Sequence, residues 1–248
     1  MSNYGLIIGK NENIQFDTKR KMLGLFERGY ISETSWTPLV TAQGTTSYRY
    51  SFPDNYNPIA IAIKPPYSTF VVGIVAKSSD FPGGGIIQSG RDPIGGISYS
   101  ETSPVDYAIY TADINQTHSI PNWGLVTYNE NGEVVFNSDI RYLKITDIID
   151  VNRTALLNFE NVIINHSVQN PFYIIPYSYC ETWEFITSGI GAGVGVVIRH
   201  LGIRQINSTS AQIGWFVRQR SGVIYGSSYS APPYFRVPNP LRIAVCVL

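Results

Sequence analysis

The chain is predicted to be all-β, an antiparallel β-sandwich or two, built from two related halves that each contain a hairpin. Three observations predict it. The 248 residues include 17 Tyr, 11 Phe, 22 Gly and 15 Pro, a mixture of strand formers and turn residues. Short apolar or alternating runs recur between Gly- and Pro-bearing turns. No window of ordinary helix length carries a 3.6-residue apolar period.

From the start of the chain, residues 4–9 and 13–18 read as the arms of a hairpin around Lys10-Asn11-Glu12. Residues 46–52 alternate aromatic with polar (Tyr48, Tyr50, Phe52), and residues 59–64 alternate Ile with Ala. Residues 68–77 are an apolar strand with Gly73 at the centre, which predicts a bulge or a close backbone approach. Residues 78–105, with Gly83-Gly84-Gly85 and Gly95-Gly96, read as a long loop region or short edge strands. Strands resume at 106–112, 123–128, 133–137 and 140–146, then at 159–166, 172–177, 193–199, 211–218 and 241–247. Short helical turns are expected at most within 18–27 and 147–157.

Two segments echo each other. Tyr4-Gly5-Leu6-Ile7-Ile8 leads through a turn to Phe16-Asp17-Thr18 and Leu23; Trp123-Gly124-Leu125-Val126-Thr127-Tyr128 leads through Asn129-Glu130-Asn131-Gly132 to Phe136-Asn137-Ser138 and Leu143. Each runs aromatic-Gly-Leu, strand, polar turn, strand, Phe-[Asp/Asn]-[Ser/Thr], then Leu seven residues after the Phe. Asn131-Gly132 suits a tight turn with φ above zero. The polar pair after each Phe can hydrogen-bond its own backbone and end the strand. Asn57-Pro58, Asn170-Pro171 and Asn239-Pro240 each precede an apolar strand, a weaker echo. The echoes divide the chain into an N-terminal half, 1–118, with the Gly/Pro-rich loop region, and a C-terminal half, 119–248. A single continuous domain that uses two similar hairpins is the other reading.

Charge and chemistry narrow the function. The chain has 18 basic and 18 acidic residues, so no net field draws it to nucleic acid. Charged residues are 15% of the chain, against roughly a quarter in ordinary soluble domains. Partner subunits could cover such a surface, or Asn, Ser, Thr, Gln and Tyr could solvate it. Lys19-Arg20-Lys21 is the one basic run, and Arg218 and Arg220 lie two apart after Trp215 and Phe216. Ile190 to Ile198 is too short and too Gly-rich to cross a bilayer, which needs about 20 apolar residues, and Met1-Ser2-Asn3-Tyr4 shows no signal peptide. A soluble protein made in a cytosol is expected, and the sequons at Asn115, Asn152, Asn165 and Asn207 carry no weight there.

No catalytic, cofactor-binding or metal-ligating residue is assigned. His118, His166 and His200 stand apart from one another and from Cys180 and Cys246, without zinc-ligand spacing. The thiols read as buried and unpaired. Ser188 to Gly195 is Gly-rich but lacks the Lys-[Ser/Thr] of a phosphate loop. Glu181 and Glu184 flank Trp183, as a glycosidase might require, but an odd step on a strand sends them to opposite faces. The Tyr-, Ser- and Gly-rich stretch 225–235, with Tyr229, suits recognition of a neighbouring subunit, a receptor or a glycan.

The second copy, Trp123 to Ser138 with Arg141-Tyr142-Leu143, resembles a motif of small tail proteins of tailed bacteriophages: aromatic-Gly-Leu, a strand, an Asn-rich Gly turn, Phe or Leu, Asp or Asn-Ser, then Arg and Leu. Tyr4-Gly5-Leu6 resembles the opening of the same proteins. The first copy departs from the pattern, with Asn13 where Gly is usual and a shorter turn. The likeness covers 4–23 and 123–143 only. It implies a non-enzymatic structural component of the virion, in the tail or tail tip, assembled in the host cytoplasm. Its partners would be copies of itself and other tail proteins, with a host receptor or glycan as a further contact, no nucleic acid, no membrane insertion and no cofactor. The alternative is a receptor- or carbohydrate-binding β module resting on Trp183 and Tyr229.

Overall fold

The structure is a computed structural model of the chain. It describes residues 7–10, 13–17, 22–41, 44–53, 58–75, 85–90, 103–112, 125–128, 131–175, 180–188, 193–220, 224–225 and 234–248. In the first half the strands are β1 (Ile7–Lys10), β2 (Asn13–Asp17), β3 (Gly24–Ile31), β4 (Thr37–Thr41), β5 (Gly44–Ser51), β6 (Ala60–Lys64), β7 (Phe70–Val75), β8 (Gly85–Gly90) and β9 (Val105–Thr111). In the second they are β10 (Val126–Tyr128), β11 (Val134–Asn137), β12 (Lys144–Val151), β13 (Val162–Asn165), β14 (Phe172–Ile174), β15 (Glu181–Ser188), β16 (Gly193–Asn207), β17 (Ser210–Arg220), β18 (Ile224–Tyr225), β19 (Tyr234–Arg236) and β20 (Leu241–Val247). A 3-10 turn at Glu33–Ser35 follows β3, and one short helix, α1 (Arg153–Leu157), follows β12. The protein is all-β, and every strand pairing described is antiparallel.

The expected helical turn within 18–27 is corrected at its C-terminal end, where β3 begins at Gly24. Phe26, Tyr30 and Ile31 favour a strand, and pairing along the whole of β9 decides it. The region 78–105, expected as a long loop or short edge strands, holds the strand β8, which is paired on both sides, with β5 and β7. Gly73 shows the close approach and not the bulge. Its register with β8 is unbroken, and a Cβ there would lie 2.7 Å from Ile61 Cγ2.

Six strands form one sheet in the order β12-β20-β14-β6-β9-β3, and a ten-stranded sheet runs β13-β17-β16-β7-β8-β5-β4 with β15, β18 and β19 attached through β16 and β15. Both larger sheets take strands from both halves of the chain: Tyr173 of β14 faces Ile63 of β6, and Ile203 of β16 faces Val71 of β7. Their inner faces share one core, in which Ile61, Ile63 and Ile109 meet Phe70, Val71, Ile203 and Phe216. The six-stranded sheet curls until its edges touch. Gly24 at the head of β3 bridges Tyr142, just before β12. Leu25 N donates to Arg141 O at 2.7 Å and Leu143 N to Leu23 O at 2.9 Å.

The echoing segments fold alike. β1–β2 and β10–β11 are separate two-stranded hairpins. Ile8 faces Phe16 as Thr127 faces Phe136, and both registers slip at the next residue. Asn137 Oδ1 accepts from Asp139 N at 3.0 Å and Ser138 Oγ from Leu125 N at 3.0 Å, which ends β11. The match extends beyond the repeated sequence. Gly24 faces Thr111 as Lys144 faces Val247, and Leu25 faces Tyr110 as Ile145 faces Cys246. Both ladders slip between the first carboxylate-bearing residue and the Leu or Ile two before it, Leu25/Glu27 and Ile145/Asp147, and both end with the last residue buried, Ile31 and Val151. The ten-stranded sheet does not repeat this. β16 has 15 residues, whereas the longest described strands of the first half have 8.

Candidate functional site

Three groupings of polar side chains emerge from this frame. The first spans the β19–β15–β16 ladder. Glu181 faces His200 on one side and Arg236 on the other. His200 Nε2 stands 3.9 Å from Glu181 Oε2, with both side chains buried. The imidazole lies edge-on to Phe216, ring centroids 6.1 Å apart. Cys180, just before Glu181, is buried, and burial pushes its thiol up to about 12, with Arg236 pulling the other way. Leu201 N donates to Cys180 O at 2.9 Å, which fixes the start of β15 on β16. The pair is buried, and it sits across two hydrogen-bonded strands, which is the placement of a contact between strands. A buried thiol held neutral is a poor nucleophile and a poor ligand.

The second grouping is His166 with Tyr173. His166 Nδ1 lies 2.7 Å from Val168 O, so that nitrogen carries the proton and donates. Nε2 is then the acceptor for the Tyr173 hydroxyl at 2.5 Å. Tyr173 is fully buried. Burial raises its pKa, with Gln205 acting the opposite way. The pair ties the loop after β13 to β14.

The third lies on the edges of the six-stranded sheet. Tyr30 on β3 and Ile148 on β12 are each 63% exposed, a large apolar area for edge positions. Arg28 and Asp150 are exposed beside them, and Asp150 Oδ1 accepts from Arg242 Nε at 2.9 Å. Arg28 also lies over the Phe172 ring, 5.9 Å from its centroid.

The residues singled out from sequence fall as follows. Glu181 and Glu184 both lie on β15, three residues apart in an unbroken register. The side chains of Trp183 and Glu184 lie outside the described residues, as do those of Arg218 and Arg220 on β17. His118, Lys19-Arg20-Lys21, residues 189–192 of the Gly-rich cluster, and Tyr229 with most of the stretch 225–235 lie outside them altogether. Among the described residues no group of three or more His, Cys, Asp or Glu side chains could hold a metal ion, and no helix is long and apolar enough to cross a membrane. Sequence reasoning missed the Glu181–His200 contact because a cross-strand pair 19 positions apart is invisible until the register is known. No protein-family model, curated protein or solved structure matches the chain.

Proposed function

We propose that the chain is a structural subunit of a bacteriophage tail or tail tip, acting by packing against copies of itself and against other tail proteins. The observation that carries this reading is the pair of hairpins. The two segments that resemble the tail-protein motif fold as separate two-stranded units with the same register and the same slip. An isolated hairpin is marginal in water, and the second one exposes Leu125 (51%) and Tyr128 (47%). A charged fraction of 15% and the exposed apolar residues on β3 and β12 are further support, since covered surfaces need little charge.

The test is electron microscopy of purified particles labelled for this chain. Label at a fixed position on the tail is the expected result. Label found only on material that sediments apart from particles would overturn the proposal.

A further inference from the structure

The two edges of the six-stranded sheet complement each other in charge, size and burial. Among the described residues β3 pairs along its length with β9 only, and β12 with β20 only, apart from the bridge at Gly24 and Tyr142. On β3, exposed Arg28 and Tyr30 alternate with less exposed Glu27 and Gly29. On β12, exposed Ile148 and Asp150 alternate with less exposed Asp147 and Ile149. One antiparallel alignment sets Tyr30 opposite Ile148, Gly29 opposite Ile149 and Arg28 opposite Asp150. Apolar then meets apolar, cation meets carboxylate, and exposed positions meet exposed positions, which is how cross-strand pairs stabilise a sheet. Pairing β3 with itself about Gly29 sets Arg28 against Tyr30. Pairing β12 with itself about Ile149 sets Asp150 against Ile148. Neither matches charge with charge.

This alignment cannot form within one chain. From the Gly24–Tyr142 bridge the two strands run in opposite directions. Tyr30 and Ile148 each lie six residues from it, with on the order of 40 Å of strand between them. We infer that β3 of one copy pairs antiparallel with β12 of a second copy, so that the sheet continues from chain to chain. Two different surfaces meet, so the contact is head-to-tail and generates a ring or an open filament. The inference deepens the structural-subunit reading by naming the surface and the partner.

The test uses the full chain carrying Tyr30→Cys and Ile148→Cys. Mild oxidation near pH 8 is expected to give a covalent ladder of dimers, trimers and larger species on a non-reducing gel. Each single-cysteine variant should remain largely at the mass of one chain, 27.6 kDa. Cys180 and Cys246 are buried with thiols pushed up to about 12, so they stay out of the exchange. In sedimentation, Arg28→Asp should weaken self-association about tenfold, the scale of one lost charge pair, and adding Asp150→Arg should restore it. A double-cysteine variant that stays monomeric, or single variants that cross-link equally well, overturns the inference. A missing ladder with label still on the tail rejects this contact and leaves the tail assignment standing; a ladder with no label on particles does the reverse.

Discussion

Leu23 and Leu143 sit opposite each other where the edges of the six-stranded sheet meet, and Leu143 N donates to Leu23 O at 2.9 Å. They are also matching residues, each seven positions after the Phe of its hairpin. The contact is therefore near-symmetric, and both side chains pack on the cluster of Ala62, Tyr110, Phe172 and Cys246. Leu23→Ala and Leu143→Ala should each cost about 1–3 kcal/mol, in the lower range for a partly buried leucine. Urea unfolding would check this. The double variant should cost measurably less or more than the sum, because the two share a neighbourhood.

Gly29 faces Tyr107 across the β3–β9 ladder. The phenol lies over the glycine and donates to Glu27 Oε1, and a Cβ on residue 29 would come 2.3 Å from its oxygen. An aromatic ring covering an edge glycine is a known device of sheets. Gly29→Ala must push the ring aside and loosen the Glu27 bond, so a loss of about 1–3 kcal/mol is expected. Thermal unfolding of G29A in the native chain and beside Tyr107→Ala would separate clash from propensity. An equal loss in both backgrounds would reject the steric account.

These two relationships show what the sequence can and cannot disclose. The strand 241–247 was legible, because Pro240 precedes a run that is apolar at every position but Arg242. Gly73, by interrupting an apolar run, announced a bulge or a close approach, and the structure shows the approach. The second hairpin was legible from Asn131-Gly132, and Gly132 has φ +76°. β3 was not, because Gly24-Leu25-Phe26-Glu27-Arg28-Gly29-Tyr30-Ile31 has no clean alternation and owes its form to pairing with residues 105–111. The same holds for Glu181 with His200. That contact requires the register of β15 on β16, which local propensity does not encode.

The His166–Tyr173 bond makes a separate prediction. With Nδ1 donating to Val168 O, Nε2 accepts from a hydroxyl that is fully buried. His166→Ala strands that hydroxyl without its acceptor and should cost about 1–3 kcal/mol. Tyr173→Phe removes the donor, leaves the half-exposed imidazole to water, and should cost about 1 kcal/mol. A chemical-denaturation series on both variants tests the order. A Tyr173→Phe loss clearly larger than that of His166→Ala would mean that the contact of the hydroxyl with Gln205 outweighs its bond to His166.

Alkaline pH should destabilise the protein, and the sign follows from three buried acids. Burial pushes Tyr110 from 10.0 up to about 12, with a smaller push from Cys246 and an opposing pull from Arg28. Burial pushes Cys246 and Cys180 from 9.0 up to about 12. Each group is neutral when protonated, and the folded state holds its proton more tightly than the unfolded chain does. Their contribution is fully present below the unfolded values. It falls as pH rises through 9 and 10, because the unfolded chain releases these protons first, and it is lost by about 12. Tyr107 and Tyr173, also raised by burial, add in the same direction. Tyr110 alone corresponds to about 2–3 kcal/mol across its window. Urea midpoints measured at pH 8, 9.5 and 11 should therefore fall steadily, and Tyr110→Phe should flatten the part of the slope above pH 10. A midpoint unchanged between pH 8 and pH 11 would mean that these side chains are hydrated in solution and that the core they line is open to water.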